Sequence, residues 1–175
     1  YFESNSEKEF EFRPLDIAAL QYIYGPSKTE RTGDDTYVID PNTPNFIWDG
    51  GGTDTIDASS LGGRVTLHLS AGYHDFIGES ASDLITAPGQ ITVNFGTIIE
   101  NLKGSSYSDS LYGNDIANEI SGNAGDDTIY GGDGDDILDY FGAFGDDTLY
   151  GGKGDDSYHV YSYSGTDTFV ENLDE

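Results

Sequence analysis

The sequence contains no cysteine, and only 7 lysines and arginines stand against 33 aspartates and glutamates. Without cysteine there is neither a disulfide framework nor a thiolate metal site. The formal net charge of -26 excludes nucleic acid as a partner, because a phosphate backbone is held by lysine and arginine. It also works against an anionic membrane surface. No apolar run approaches the ~18 residues of a membrane-spanning helix, so no membrane insertion is expected, and no signal peptide is read at Tyr1. What is abundant makes folding harder: 24 glycines add conformational entropy to the unfolded chain, and self-repulsion destabilises a compact state. Divalent cations are the expected external stabiliser.

The acids are not scattered. From Gly104 the chain divides into nine-residue units: GSSYSDSLY, GNDIANEIS, GNAGDDTIY and GGDGDDILD, then GAFGDDTLY and GGKGDDSYH after two extra residues, Tyr140 and Phe141. A weaker unit, SYSGTDTFV, follows. A glycine-rich linker would have this composition. However, the eighth position of each unit is large and apolar: Leu111, Ile120, Ile129, Leu138, Leu149, Tyr158 and Phe169. That register marks a solenoid.

Each unit supplies a turn of about six residues and a strand of about three, with its apolar residue inward. Two units make one coil, so turns on one edge recur about every 18 residues and the sixth-position side chains stack. Asp109 is expected over Asp127, Asn118 over Asp136, Asp127 over Asp147, Asp136 over Asp156 and Asp147 over Asp167. The turn carbonyls of Gly122, Asn123 and Gly125, of Gly131, Gly132 and Gly134, of Gly142 and Gly145, and of Gly151, Gly152 and Gly154 complete an oxygen cage. About six oxygens with tolerant geometry suit Ca2+, whereas Mg2+ demands stricter octahedral order. No imidazole or thiolate is placed for zinc or copper.

Upstream, PLDIAALQYIY (14–24) has helical spacing, with Pro14 in the first turn and Gly25-Pro26 as a stop. Residues 36–39, 46–48, 64–69 and 91–95 read as strands, with Val65, Leu67 and Leu69 inward.

GGDGDDILD and GGKGDDSYH resemble the Gly-Gly-x-Gly-x-Asp-x-(apolar)-x repeat of RTX proteins, which form a parallel β-roll with calcium in the turns. GSSYSD and GNDIAN lack glycine at positions two and four, and Asn118 replaces the acid, so these first sites are expected to be weaker or incomplete; the insertion at Tyr140-Phe141 bulges a neighbouring turn. DIAALQYIYG, RTGDDTYVID, IWDGGGTDTIDAS and TIIEN, in that order, resemble the C-terminal region of the serralysin family of secreted zinc metalloproteases. The resemblance implies an all-β chain: a short N-terminal helix, a β-sandwich and an RTX β-roll. The parts are an extension with helix over 1–25, which the resemblance makes the end of an upstream catalytic domain, the sandwich over 26–103 and the roll over 104–175. Carried across, the family's ligands imply an isolated calcium site from Arg31, Gly33, Asp35, Asp49, Gly51 and Asp54. A second group, Ile98 and Glu100, would feed the turn ending at Asp109.

The zinc-protease motif is absent from this chain: His68, His74 and His159 do not have its spacing. Tyr1-Phe2-Glu3 resembles the residues after that family's methionine turn. The expected function is a non-catalytic calcium module, binding about 6–8 Ca2+ ions, of a secreted bacterial protein. It would fold outside the cell after passage through type I secretion machinery and stabilise its parent, with more protein expected after ENLDE. Two rivals stand beside it. One is an adhesive module that grips sugar or peptide with its tyrosines (Tyr140, Tyr158, Tyr161, Tyr163) or its loops over 72–89; the other is the tail of an active protease.

Overall fold

Single aliphatic residues flanked by threonine and tyrosine, as in Thr128-Ile129-Tyr130 and Thr148-Leu149-Tyr150, favour short strands with one inward side chain. A computed structural model shows the outcome for residues 31–139, 144–159 and 165–171, which it describes. The helix expected over 14–24, the Tyr1-Phe2-Glu3 segment, Tyr140, Phe141, Gly142, Tyr161 and Tyr163 lie outside those residues.

Among the described residues every regular element is a strand. They are β1 (Thr36–Val38), β2 (Asn45–Ile47), β3 (Thr55–Asp57), β4 (Val65–His68), β5 (Asp75–Ile77), β6 (Gln90–Val93) and β7 (Asn101–Lys103). There follow β8 (Ser110–Tyr112), β9 (Glu119–Ser121), β10 (Thr128–Asp133), β11 (Ile137–Leu138), β12 (Thr148–Lys153), β13 (Ser157–Tyr158) and β14 (Thr168–Val170). From β7 onward the chain alternates between two sheets, one strand in each per coil. The first sheet runs β1-β3-β7-β9-β11-β13, so its six strands mark six coils of a parallel β-solenoid. The second runs β14-β12-β10-β8-β4-β5-β6-β2, parallel except where β5 pairs antiparallel with β4 and β6.

The β-sandwich expected over 26–103 does not stand as a separate unit among the described residues. β3 pairs in parallel with β7 and β4 with β8, so both sheets pass from upstream strands into the roll without a break. The reason lies in the core. Ile56, Leu102, Ile120 and Leu138 form one continuous column through paired register, and Leu67, Leu111, Ile129 and Leu149 form the facing one. All eight are at most 1% exposed. Burying each contributes about 1.5–3 kcal/mol. With only two such side chains per coil, the core is a thin seam, and the turns must supply the rest of the stability.

The inward positions fail at the far end. Phe169 lies on β14, the edge strand of the second sheet among the described residues, and is 42% exposed. Tyr158 is partly buried and packs edge-on against Phe169, with centroids 5.1 Å apart.

Candidate metal-binding turns

The turns gather on two edges of the solenoid. One edge stacks 104–109, 122–127, the described part of 142–147 and 165–167, all of which lead into second-sheet strands. The other stacks 49–54, 95–100, 113–118, 131–136 and 151–156, which lead into the first sheet. The backbone N–H of Asp109 donates to Asp127 Oδ1 at 2.8 Å, Asp127 to Asp147 at 2.8 Å, and Asp147 to Asp167 at 3.2 Å. On the opposite edge Asn118 donates to Asp136 at 2.8 Å and Asp136 to Asp156 at 2.9 Å. All five expected stacking pairs are therefore joined. Across the two extra residues the separation in sequence rises to 20 between Asp127 and Asp147, against 18 between Asp109 and Asp127.

Each carboxylate has a second oxygen, and there the turns differ. Oδ2 of Asp127, Asp136, Asp147 and Asp156 is buried and makes no hydrogen bond. An anionic oxygen held this way carries the full desolvation penalty, and it shows in the proton affinity. Burial pushes Asp127 up to about 8 and Asp136 up to about 7, although the N–H bonds at Oδ1 pull the other way. Burial also raises Asp147 and Asp156, and neighbouring acids add to it.

The glycines explain how the cradle is shaped. A Cβ on Gly131 would collide with Asp136 Oδ2 and with the Gly151 carbonyl; one on Gly122 would meet Asp127 Oδ2, and one on Gly151 Asp156 Oδ2. The first glycine of each of these turns thus leaves room for a carboxylate oxygen, and at Gly131 a carbonyl from the next coil converges on the same space. Positions two and four of the Gly131 and Gly151 turns have left-handed backbone: Gly132 and Gly134 have φ of 118° and 117°, Gly152 and Gly154 113° and 133°. Gly125 has φ 118°, and Asn123 adopts 70° at position two. A buried anionic oxygen beside carbonyls, with no proton donor, suits a hard cation. The donor set is all oxygen, which favours Ca2+.

Upstream, carboxylate oxygens of Asp35, Asp49 and Asp54 lie within 4.8 Å of one another, the only such group among the described residues. Asp54 Oδ1 accepts the Asp35 N–H at 2.8 Å, and its Oδ2 makes no hydrogen bond. Burial, then the Asp49 carboxylate, pushes Asp54 up to about 6. Asp49 is positioned by the Tyr37 hydroxyl at 2.6 Å and the Gly51 N–H at 2.6 Å. Arg31 and Gly33 line the same turn: the Arg31 carbonyl accepts the Gly50 N–H at 2.9 Å, and the Gly33 carbonyl lies where a Cβ on Gly52 would fall. The Arg31 guanidinium sits 5.2 Å from the ring centroids of both Tyr37 and Trp48.

The expected pairing of Ile98 and Glu100 with the Asp109 turn is corrected by the fold. Glu100 stands on the opposite edge: its Oε2 accepts the Asp54 N–H at 2.8 Å, and its carbonyl accepts Asn118 Nδ2 at 3.1 Å. The strand after it enters the first sheet, whereas the Asp109 turn enters the second. Ile98 is exposed at that same edge. Asp109 and Asn118 also differ from their stacked partners, because protein donors already meet their side-chain oxygens.

No histidine belongs to the Asp35, Asp49 and Asp54 group. His68 Nδ1 lies 2.6 Å from Asp75 Oδ1, and its ring is stacked between Tyr73 and Tyr112 at 4.1 and 4.2 Å. The stack continues through Tyr130 and Tyr150 at 4.8 and 4.5 Å. These rings cover one another's faces on the outer side of the second sheet. Sequence reasoning missed this ladder, although its positions alternate with the inward aliphatics.

Comparison with known proteins agrees with this geometry. The family model of the RTX calcium-binding nonapeptide repeat (four copies) matches residues 44–60, 112–140 and 139–169. The chain is 36% identical over 110 residues to serralysin C of Dickeya chrysanthemi, covering 55% of this chain and 22% of that protein. It is 36% identical over 117 residues to metallopeptidase AprA of Pseudomonas marginalis (59% and 23%). It is 34% identical over 139 residues to a serralysin of Photorhabdus laumondii (67% and 28%). The chain thus spans between 22% and 28% of the length of these curated relatives. It carries calcium-binding RTX repeats wound into a β-roll, distantly similar to serralysin C-terminal regions.

Proposed function

We propose that this roll is a calcium-dependent folding module of a secreted bacterial protein, and that ions filling its turns outside the cell stabilise the parent. The observation that carries the reading is the array of buried carboxylate oxygens without donors at Asp54, Asp127, Asp136, Asp147 and Asp156. In the roll, those Oδ2 atoms hold Ca2+ together with carbonyls of the glycine turns 122–127, 131–136, 145–147 and 151–156. Upstream, Asp35, Asp49 and Asp54 hold an ion with the carbonyls of Arg31, Gly33 and Gly51. The ion supplies a positive charge that the protein lacks. Five such ions offset 10 of the 26 negative charges.

Because the ligands of each roll site come from successive coils, binding and folding are coupled. With calcium scarce the acidic chain stays extended, which suits export through a narrow type I channel. At millimolar extracellular calcium, sites with Kd of about 10⁻⁴–10⁻³ M fill. The similarity to serralysins makes an upstream zinc-protease domain, ending within residues 1–25, the proposed neighbour. Circular dichroism and titration calorimetry test the reading. Calcium should convert a largely unstructured spectrum in chelator to a β spectrum, with heat saturating near five or six ions. An identical spectrum in excess chelator would refute it.

A further inference from the structure

Two of the nonapeptide turns are built differently from those at 122–127, 131–136 and 151–156. In 104–109 and 113–118 the second and fourth positions are Ser105 and Tyr107, and Asn114 and Ile116, none of them at positive φ. The Ser105 N–H donates to Asp109 Oδ2 at 2.5 Å, and the Asn114 N–H donates to Asn118 Oδ1 at 2.9 Å. One step along, the Tyr107 N–H reaches Ser105 Oγ at 3.1 Å and the Ile116 N–H reaches Asn114 Oδ1 at 3.2 Å. These are the side-chain turns that serine and asparagine form with their own backbone.

The remaining oxygens are also taken. Asp109 Oδ1 accepts the Val65 N–H at 2.7 Å and the Ser105 hydroxyl at 2.9 Å. Asn118 Nδ2 donates to the Glu100 carbonyl at 3.1 Å and to Asn114 Oδ1 at 3.1 Å. Asn114 Nδ2 donates to the Ile99 carbonyl at 2.8 Å, and Asn123 Nδ2 to the Gly104 carbonyl at 2.7 Å. Amide groups thus stand at carbonyls that would otherwise turn toward an ion. Neither Asp109 nor Asn118 has a buried side-chain oxygen without a donor, unlike Asp127, Asp136, Asp147 and Asp156.

We infer that the coil formed by 104–109 and 113–118 binds no calcium: hydrogen-bond donors of Ser105, Asn114 and Asn118 take the place of the ions on both its edges. It is a brace that needs no ion of its own, between the upstream acidic site and the loaded coils that begin at Gly122. Its position fits that task. Leu111 and Ile120 of this coil sit fully buried in the two core columns, and Tyr112 joins His68 to Tyr130 in the ring ladder. The sites at Asp127 and Asp136 therefore form against a neighbour already in register, which lowers the ordering entropy each ion must offset.

The inference rests on the calcium reading, and the test keeps the two apart. Native mass spectrometry and calorimetry count Ca2+ on the whole chain and on a variant with Asn114→Gly, Ile116→Gly and Asn118→Asp, which restores the glycine pattern and the acid. The parent should bind a fixed number and the variant one more. An equal count, or a loss of one ion in a parent carrying only Asn114→Ala, overturns the brace while leaving the calcium reading standing. A parent that binds no calcium overturns both. Hydrogen exchange on the unaltered chain keeps the question decidable if the variant fails to fold. Across a calcium titration the Ser105 and Asn114 amides should gain protection at least tenfold below the calcium needed by those of Asp127 and Asp136. Protection in the reverse order, or all together, overturns the brace.

Discussion

Replacing Asp127 by asparagine removes a charge from a residue that is 1% exposed and keeps its shape. The carbonyl oxygen still accepts the Asp109 N–H, now made to Oδ1 at 2.8 Å; an NH2 replaces the oxygen that has no donor. Without calcium, burial holds the Asp127 carboxyl at about 8 against an ordinary 3.8. At about 1.4 kcal/mol per tenfold, keeping it ionised costs on the order of 5 kcal/mol. The unmet amide donors of asparagine cost about 1–3 kcal/mol. In chelator at pH 8 the variant should therefore be more stable than the parent, by roughly 2–4 kcal/mol. With calcium at about a hundred times Kd, the parent gains about 2.7 kcal/mol at this site and the variant nothing. Calcium should therefore erase most or all of the variant's lead, shifting its melting temperature relative to the parent by about 5–10 °C, given about 2–4 °C per kcal/mol for a chain of this size. Thermal unfolding followed by circular dichroism reads the difference between variant and parent in each arm, using about 10 mM Ca2+ in one and chelator with sucrose, which favours the compact state, in the other. The same difference between variant and parent in both arms would show that the Asp127 oxygen does not face an ion.

Other perturbations separate the parts. Gly131→Ala puts a methyl group onto Asp136 Oδ2 and the Gly151 carbonyl, so it should remove an ion and lower the melting temperature by several degrees. Gly62→Ala, with nothing within 4 Å, should stay within about 0.5 kcal/mol of the parent. Tyr37→Phe deletes the hydroxyl 2.6 Å from Asp49 Oδ2, a charge-assisted bond of about 1.5–3 kcal/mol. Terbium luminescence sensitised by the adjacent Trp48 should show the upstream site weakened about tenfold or more while total uptake by the roll is kept. For pH, folded Asp127 and Asp136 without calcium titrate at about 8 and about 7, above the ordinary 3.8. Their contribution to the metal-free fold is thus full below about pH 4 and is lost as pH rises through 7 to 8. Calcium binding at pH 6 should accordingly release protons, and affinity should rise with pH until about 8. Calorimetry in buffers of different ionisation enthalpy measures this, and heats independent of buffer would contradict it.

Much of the architecture can be read from the eighth position of each unit, because a large apolar residue recurring every nine residues is buried when successive coils stack. Leu111 through Leu149 are buried as that pattern requires, whereas Phe169 is exposed, since periodicity cannot say where stacking stops. The hairpin strand β5 was hidden: Asp75-Phe76-Ile77 is short, and its inward acid is satisfied only by His68 across the turn. The stacked aspartates were legible because spacing alone puts them on one edge. Glu100 was tied to the Asp109 turn by carrying the family's ligands across in chain order, which does not say that the strand after Glu100 enters the first sheet while the Asp109 turn enters the second. The loss of glycine in GSSYSD and GNDIAN signalled weaker sites. What replaced the ion became visible only in three dimensions, where Ser105 and Asn114 turn their N–H groups onto the sixth-position side chain.

The most direct measurement is anomalous diffraction from crystals of this chain grown in millimolar calcium. A calcium-filled roll requires a peak about 2.3–2.6 Å from Oδ2 of each of Asp127, Asp136, Asp147 and Asp156. Well-ordered turns with no metal peak at these oxygens would contradict it.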